Sequence, residues 1–174
     1  MNVIDAIFSR RSIRKFKDIT IAEKDIKIIL SAGMSAPSGY NAQTWRFVIL
    51  DHSKEGVSKK IAAINPYASM AQTAPMSILV CGTKAENVPI DFWVVDCSAC
   101  IQNMLLAAYS LGIGSLWTGI YPIEDRMKAF SEFCKLPQNI FAHSLIILGY
   151  ADEAKPRKEI YNENFVHYDF WENK

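Results

Sequence analysis

Apolar residues recur along this chain either three to four positions apart or in unbroken runs, and the alternation between these two patterns sets the expected elements. Over residues 2–10, Val3, Ile4, Ile7 and Phe8 fall on one face of a short helix. Thr20-Ile21-Ala22-Glu23 has the form of a capping box, and Ile26, Ile29, Leu30 and Met34 continue an apolar stripe behind it. That predicts a second helix ending near Gly33. The run from Arg46 to Asp51 is β-rich and of strand length, Met76 to Thr83 is another, and Lys54 to Ile64 reads between them as an amphipathic helix. From Phe92 to Leu111 the chain is mostly apolar and makes a helix about 30 Å long at the standard rise. Pro122 opens a further helix carrying Met127, Phe130 and Phe133, and Phe141 to Gly149, rich in Ile and Leu, is a final strand.

Two segments interrupt this pattern. Ala36 to Trp45 (A-P-S-G-Y-N-A-Q-T-W) is a loop by its Pro, Ser, Gly and Asn content, and Gly112 to Gly119 (G-I-G-S-L-W-T-G) reads as a Gly-rich turn that ends the long helix. Within that helix, Asp96, Ser98, Gln102 and Asn103 would each be costly in hydrocarbon, which favours a central soluble helix over a membrane span. Asp96, Asn103 and Ser110 recur every seven residues beside the small Ala99 and Ala107, a stripe suited to close packing against another helix, of this chain or of a symmetry mate. The tail from Ala151 to Lys174 scatters Tyr161, Phe165, Tyr168, Phe170 and Trp171 among charges without a period. Large apolar side chains with no evident partner in their own chain call for another surface, and a second subunit supplies one.

The chain has 174 residues, enough for one α+β domain with a proper core, and half of them are hydrophobic, which excludes disorder. A formal net charge of +1 carries no footprint of nucleic-acid binding. The start, Met1-Asn2-Val3-Ile4-Asp5, lacks the charge and hydropathy of a secretory signal, so a cytoplasmic location is expected. Cys97 and Cys100 form a C-x-x-C inside the long helix and not at a helix start, so they and Cys81 and Cys134 are expected to be buried, inert thiols. His52, His143 and His167 are scattered, and no metal site is expected.

The candidate chemistry starts at Arg10-Arg11-Ser12-Ile13-Arg14, three guanidinium groups and a hydroxyl within five residues at the end of the first helix. Alone it reads more readily as a solvated basic turn, although its donors match a phosphate monoester. The glycines at 112, 114 and 119 do not form a dinucleotide fingerprint, because Trp117 stands where the third Gly is needed and the run follows a helix. No Walker motif and no Ser, His and acid combination is present. An Arg cluster, a polar Asn/Gln loop and a Gly-rich segment are together the parts that grip a flat, polar heterocycle with one phosphate tail.

Several segments match a known family jointly and in order: R-R-S-I-R at Arg10 to Arg14, A-P-S-G-Y-N-A-Q-T-W at Ala36 to Trp45, Ile101 to Ala108 leading into G-I-G-S-L-W-T-G, and L-G-Y-A at Leu148 to Ala151 followed by Lys155-Pro156-Arg157. Across essentially its whole length the chain resembles a small member of the FMN-dependent nitroreductase family. The resemblance implies a mixed central sheet flanked by helices, in an intertwined homodimer whose exchanged tail, residues 152–174, wraps the partner. It implies tightly but non-covalently bound FMN, with Arg10, Ser12 and Arg157 on the ribityl phosphate, Arg11 in support, and Arg14 near N1 and O2, where reduction leaves negative charge. Pro37, Ser38, Asn41 and Gln43 would line the ring and ribityl chain, and Trp117, Thr118 and Gly119 its N5 side, with the Thr118 backbone N–H a donor to N5. The implied activity is ping-pong transfer of hydride from NAD(P)H to nitroaromatic, quinone or related acceptors, with no side-chain acid or base required.

Two departures accompany the resemblance. Thr44 replaces the proline usual between Gln and Trp, and Ile120-Tyr121-Pro122 leads straight into the next helix without the insertion that covers the site in larger relatives. The pocket is therefore expected to be open. Other chemistries on the same fold, such as dehydrogenation, dehalogenation or flavin fragmentation, and a non-catalytic flavin-binding dimer, are the alternatives.

Overall fold

The two most continuous apolar runs become the two inner strands of the sheet. In the computed structural model, which describes residues 2–86 and 88–172, β2 (Met76–Thr83) and β4 (Ile140–Gly149) are buried along almost their whole length. They are flanked by β1 (Trp45–Asp51) and β3 (Gly114–Gly119), giving the order β1-β2-β4-β3. Five α-helices surround them: α1 (Val3–Ser9), α2 (Glu23–Met34), α3 (Val57–Ile64), α4 (Trp93–Ser110) and α5 (Glu124–Cys134). Side chains alternate between the faces with the strand period of two. Ile78, Val80, Ile146 and Leu148 pack with α4 residues such as Ile101 and Met104, whereas Leu79, Leu145 and Ile147 pack with Ile61 of α3 and Phe130 of α5. Among the described residues no helix is long and apolar enough to cross a membrane.

The α+β layering matches the sequence expectation, with four differences. All three strand pairs are antiparallel, so the sheet is not mixed; its one parallel contact is the isolated bridge between Ser12 and Ser115. Gly114–Gly119 is an edge strand, not a turn, and only Gly112, at φ 76°, takes a left-handed conformation there. Gly114 is needed for approach: a Cβ at that position would lie 3.1 Å from both the Gly149 carbonyl and the Ile13 side chain. Finally, Thr20 does not cap α2, whose N-cap is Ala22. The helix start is fixed instead by Ile21 and Ile26, which stand before the cap and at the fourth helical position and share one core cluster, a hydrophobic staple. Likewise α5 begins at Glu124, two residues beyond Pro122.

Helices α2 and α4 meet closely at Gly33, where a Cβ would come within 2.6 Å of the Met104 side chain. The polar stripe of α4 is used inside the chain: Asn103 Nδ2 donates to the Ala32 carbonyl near the end of α2, and Asp96 holds a loop described below. The four thiols are free, and burial pushes Cys81 and Cys100 up to about 12 and Cys134 to about 11, with Cys97 also raised. That is inert chemistry at neutral pH.

After β4 the tail runs beside the segment preceding α2, with Lys17 N–H on the Tyr150 carbonyl and Asp152 N–H on that of Lys15. Beyond it, Tyr161, Phe165, Tyr168, Phe170 and Trp171 are all exposed, as are Val3, Ile4 and Ile7 of α1.

Candidate active site

The Arg cluster leaves α1 with Arg10 as its C-cap and is then pinned to the edge strand by the Ile13 N–H, which donates to the Ser115 carbonyl at 3.0 Å. This places two neighbouring cavities along β3. The first, about 230 Å³, is lined by Arg10, Arg11, Tyr109, Gly114, Ser115 and Lys155 among others. The second, about 440 Å³, is lined by Arg14, Trp117, Thr118 and Gly119 together with Tyr67 and Arg126. Ser115 to Gly119 spans about 13 Å at the strand rise, so the two cavities follow one another along the edge strand.

The first cavity is lined by three cationic side chains, Arg10, Arg11 and Lys155, against one carboxylate, Glu153, which pairs with Lys155. Ser115 Oγ is buried with no hydrogen-bond partner, an expense tolerated where a ligand supplies the missing group. No carboxylate pairs with Arg10 among the described residues, and burial together with neighbouring Arg11 pulls its guanidinium down from the ordinary value. A bound phosphate would relieve both. Arg11 Nη1 donates to the Pro156 carbonyl at 2.7 Å, which ties the cluster to the tail. Ser12 contributes backbone, its carbonyl accepting from Lys155 Nζ at 2.6 Å.

Arg157 departs from its expected role. It pairs with Asp5 at 3.1 Å and Glu159 at 3.5 Å and lies over the Phe8 ring, so two nearer anions claim it and it does not line the cavity. Lys155, two residues earlier, does line it. It also pairs with Glu153 at 3.3 Å, whose carboxyl is held below the usual range by the Arg14 N–H and by this lysine.

At the ring end of the cleft, Trp117 Nε1 donates to Ser144 Oγ at 2.7 Å, fixing the indole. The ladder alternates along β3. The carbonyls of Ser115 and Gly119 face away from β4, accepting from Ile13 and from Asn65 Nδ2 and Arg126, whereas Ile120 N–H donates inward to His143. By that alternation the Thr118 N–H, expected as a donor to N5, turns into the sheet, and its Oγ1 donates to Leu145. Trp117 and Gly119 are the residues whose backbone N–H groups face outward. His143, the extra residue of a bulge in β4 between the partners of Val80 and Cys81, sits edge-on to Trp93 and parallel to Tyr121, and burial pushes its imidazole down to about 4.

The loop residues Pro37, Ser38, Asn41 and Gln43 are not brought to this cleft by their own chain. Asp96 of α4 accepts from Gly39 N–H at 2.8 Å and from Thr44 Oγ1 at 3.0 Å, holding the loop near the start of α4. Gly39 is required there, because a Cβ would lie 2.5 Å from the Phe92 ring. Ser38 Oγ accepts from Gln43 N–H, and Tyr40, Asn41 and Gln43 all have positive φ, a strained arrangement of the kind found where loops meet ligands. Arg10 and Arg11 lie with Tyr109 at the other end of α4. Thirteen residues of helix separate Asp96 from Tyr109, about 20 Å. The loop and the Arg10–Arg11 cavity thus lie toward opposite ends of one helix, and Pro37, Ser38, Asn41 and Gln43 line neither cavity.

The Nitroreductase family pattern matches residues 7–150. The chain belongs to that family. A Methanothermobacter thermautotrophicus protein with the provisional name NADH dehydrogenase/NAD(P)H nitroreductase is 38% identical over 172 residues, covering 98% of this chain and 88% of its own. A crystal structure of a provisionally named NADH dehydrogenase/NAD(P)H nitroreductase from Bacteroides thetaiotaomicron superposes with a TM-score of 0.90 at 39% identity, covering 97% of this chain and 98% of that one. A nitroreductase of Desulfovibrio desulfuricans, likewise provisionally named and solved in complex with FMN, superposes at 0.83 with 27% identity over 98% of each chain. The residues of the cleft fit FMN: an orphaned hydroxyl and unpaired guanidinium at one end for a phosphate, and Arg14 with an aromatic-walled opening at the other for a flat ring.

Lys155 and Ser115, which line the first cavity, and Asp96, which holds the loop, were not among the residues expected at the site. Lys155 was within reach, since it stands in the Lys155-Pro156-Arg157 segment, and Ser115 follows once Gly114–Gly119 is read as a strand.

Proposed function

We propose that this chain is an NAD(P)H-dependent FMN oxidoreductase that reduces nitroaromatic, quinone or related acceptors by a ping-pong cycle, acting as a homodimer. The observation that carries this reading is the cleft along β3, in which, among the described residues, Ser115 Oγ has no hydrogen-bond partner and Arg10 no carboxylate at one end, and Arg14 and Trp117 line the other. Arg10, Arg11, Ser115 and Lys155 would hold the phosphate, and Arg14 would face the pyrimidine end of the ring. When bound, FMN supplies reversible hydride acceptance, taking electrons from NAD(P)H and passing them to the acceptor. A fixed guanidinium near the pyrimidine end favours the reduced, negatively charged ring. No protein acid or base is needed for that transfer, and the chain contributes binding, orientation and field.

The loop, which lines neither cavity of its own chain and lies about 20 Å along α4 from the Arg10–Arg11 end, supports the dimer. A loop that cannot reach its own Arg cluster can complete a partner's, so Pro37, Ser38, Asn41 and Gln43 of one subunit would cover the ring held by the other. The exposed aromatics of residues 152–174 and the exposed face of α1 supply apolar surface for the exchange.

Initial-rate measurements with NADH or NADPH against a nitroaromatic and a quinone, paired with sedimentation equilibrium, test the proposal. Parallel double-reciprocal lines from a dimer are expected. A monomer that turns over fully would remove the shared site, and retained flavin without turnover would leave a flavin-binding protein.

A further inference from the structure

Arg126 has no explanation in the fold or in the flavin site. It occupies the third position of α5, behind Glu124 and Asp125, where a cation opposes the helix dipole and weakens the first turn. No carboxylate pairs with it among the described residues. Its guanidinium lies 5.3 Å from the centroid of the Tyr67 ring, and Nη1 donates to the Gly119 carbonyl at 3.3 Å. Those two contacts hold the group in place on the wall of the 440 Å³ cavity and leave most of its five N–H donors unused. The lining of that cavity includes two guanidinium groups, Arg14 and Arg126, and no Asp or Glu. Aromatic walls are present in Tyr67, Trp117 and Tyr121.

We propose that Arg126, braced by Tyr67 and the Gly119 carbonyl, binds the anionic group of the substrate that enters this cavity. The inference rests on the flavin reading, in which Arg14 serves the ring and Arg126 is left for whatever stacks beside it. The ligand class is a flat molecule carrying a carboxylate or phosphate oxygen within reach of a guanidinium. Such an anion has two sources, a carboxylate on the acceptor or the diphosphate of the nicotinamide donor. A partly exposed charge-assisted pair of this kind is worth about a tenfold change in affinity.

In a ping-pong scheme kcat/KM for each substrate reports its own half-reaction, so the two sources separate. Wild type, Arg126→Gln and Arg126→Lys are compared, each purified with its flavin, using NADH, NADPH, 4-nitrobenzoate and its neutral analogue 4-nitrobenzyl alcohol. For Arg126→Gln the expected result is a fall in kcat/KM about tenfold larger for 4-nitrobenzoate than for the neutral analogue, partly restored in Arg126→Lys. A fall confined to the nicotinamide donors would also bear out the anion site and assign it to the diphosphate. Equal kcat/KM changes across all four substrates, or none, would overturn the proposal. Calorimetric titration of 4-nitrobenzoate onto wild type and Arg126→Gln reads the contact without turnover, and equal affinities there would overturn an acceptor site. A wild-type protein without flavin or turnover would count against the flavin reading, and the titration would then decide Arg126 alone.

Discussion

Replacing Thr44 by Val should loosen the loop that carries Pro37 to Gln43, through one hydrogen bond. Thr44 is 2% exposed and Asp96 3%, and the Thr44 hydroxyl is one of two donors that satisfy the Asp96 carboxylate, the other being the Gly39 N–H. Valine keeps the shape but leaves Oδ2 buried without a donor. A hydrogen bond to a charged group contributes about 1.5–3 kcal/mol, and the added methyl returns up to about 0.8 kcal/mol of burial, so the net loss is about 1–2 kcal/mol. For a chain of this size each kcal/mol shifts Tm by about 2–4 °C, which gives a drop of about 2–8 °C. The positive-φ residues Tyr40, Asn41 and Gln43 depend on the same clamp, so FMN affinity should weaken with stability. Thermal unfolding by circular dichroism and flavin titration by fluorescence measure the two effects. Thr44→Ser, which keeps the hydroxyl, should stay within about 0.5 kcal/mol of wild type. A Thr44→Val protein that melts with wild type and binds FMN equally well would refute the clamp.

Three further outcomes follow from the site and the core. Arg10→Ala should raise the FMN dissociation constant by about 30–100-fold, the loss of a charge-assisted phosphate contact, whereas Arg14→Ala should mainly slow flavin reduction; stopped-flow rates and flavin titrations on both variants check this, and equal effects on both quantities would contradict it. Gly33→Ala should cost about 1–3 kcal/mol in urea unfolding, because its methyl would enter the space of the Met104 and Cys100 side chains. His143 is held down at about 4 by burial while its unfolded value is the ordinary 6.5. The unfolded chain therefore binds the extra proton first, so stability is full above about pH 6.5 and falls by about 3 kcal/mol as pH drops toward 4; in His143→Phe that part of the pH dependence should vanish from the urea midpoints.

The parts of the fold that rest on hydrophobic periodicity were legible in the chain. β2 runs from Met76 to Thr83 as read, since a strand covered on both faces is a continuous apolar run with no register to mistake. β3 was not legible, because its glycines lower strand propensity and the reason for Gly114, the approach of Ile13 and Gly149, lies far away in sequence. Thr20 was misjudged for a related cause: a capping box and a hydrophobic staple overlap here, and packing of Ile21 decided between them. At the site, the resemblance located the Arg cluster and the cleft wall, but side-chain competition is a tertiary matter. Asp5 and Glu159 pair with Arg157; Glu159 stands two residues away, but nothing local marks Asp5. Asp96 read as part of a packing stripe and instead holds a loop, with Thr44 supplying the second donor at the position where the family usually has proline.

The central claim is that the cleft along β3 holds a flavin that NAD(P)H reduces. The absorption spectrum of the purified protein, recorded anaerobically before and after NADH or NADPH and again after a nitroaromatic or quinone, tests it most directly. A yellow protein whose flavin bands bleach with the nucleotide and return with the acceptor is the predicted result. A colourless protein that takes up no added FMN would contradict the account and return Arg10 to Arg14 to an ordinary basic turn.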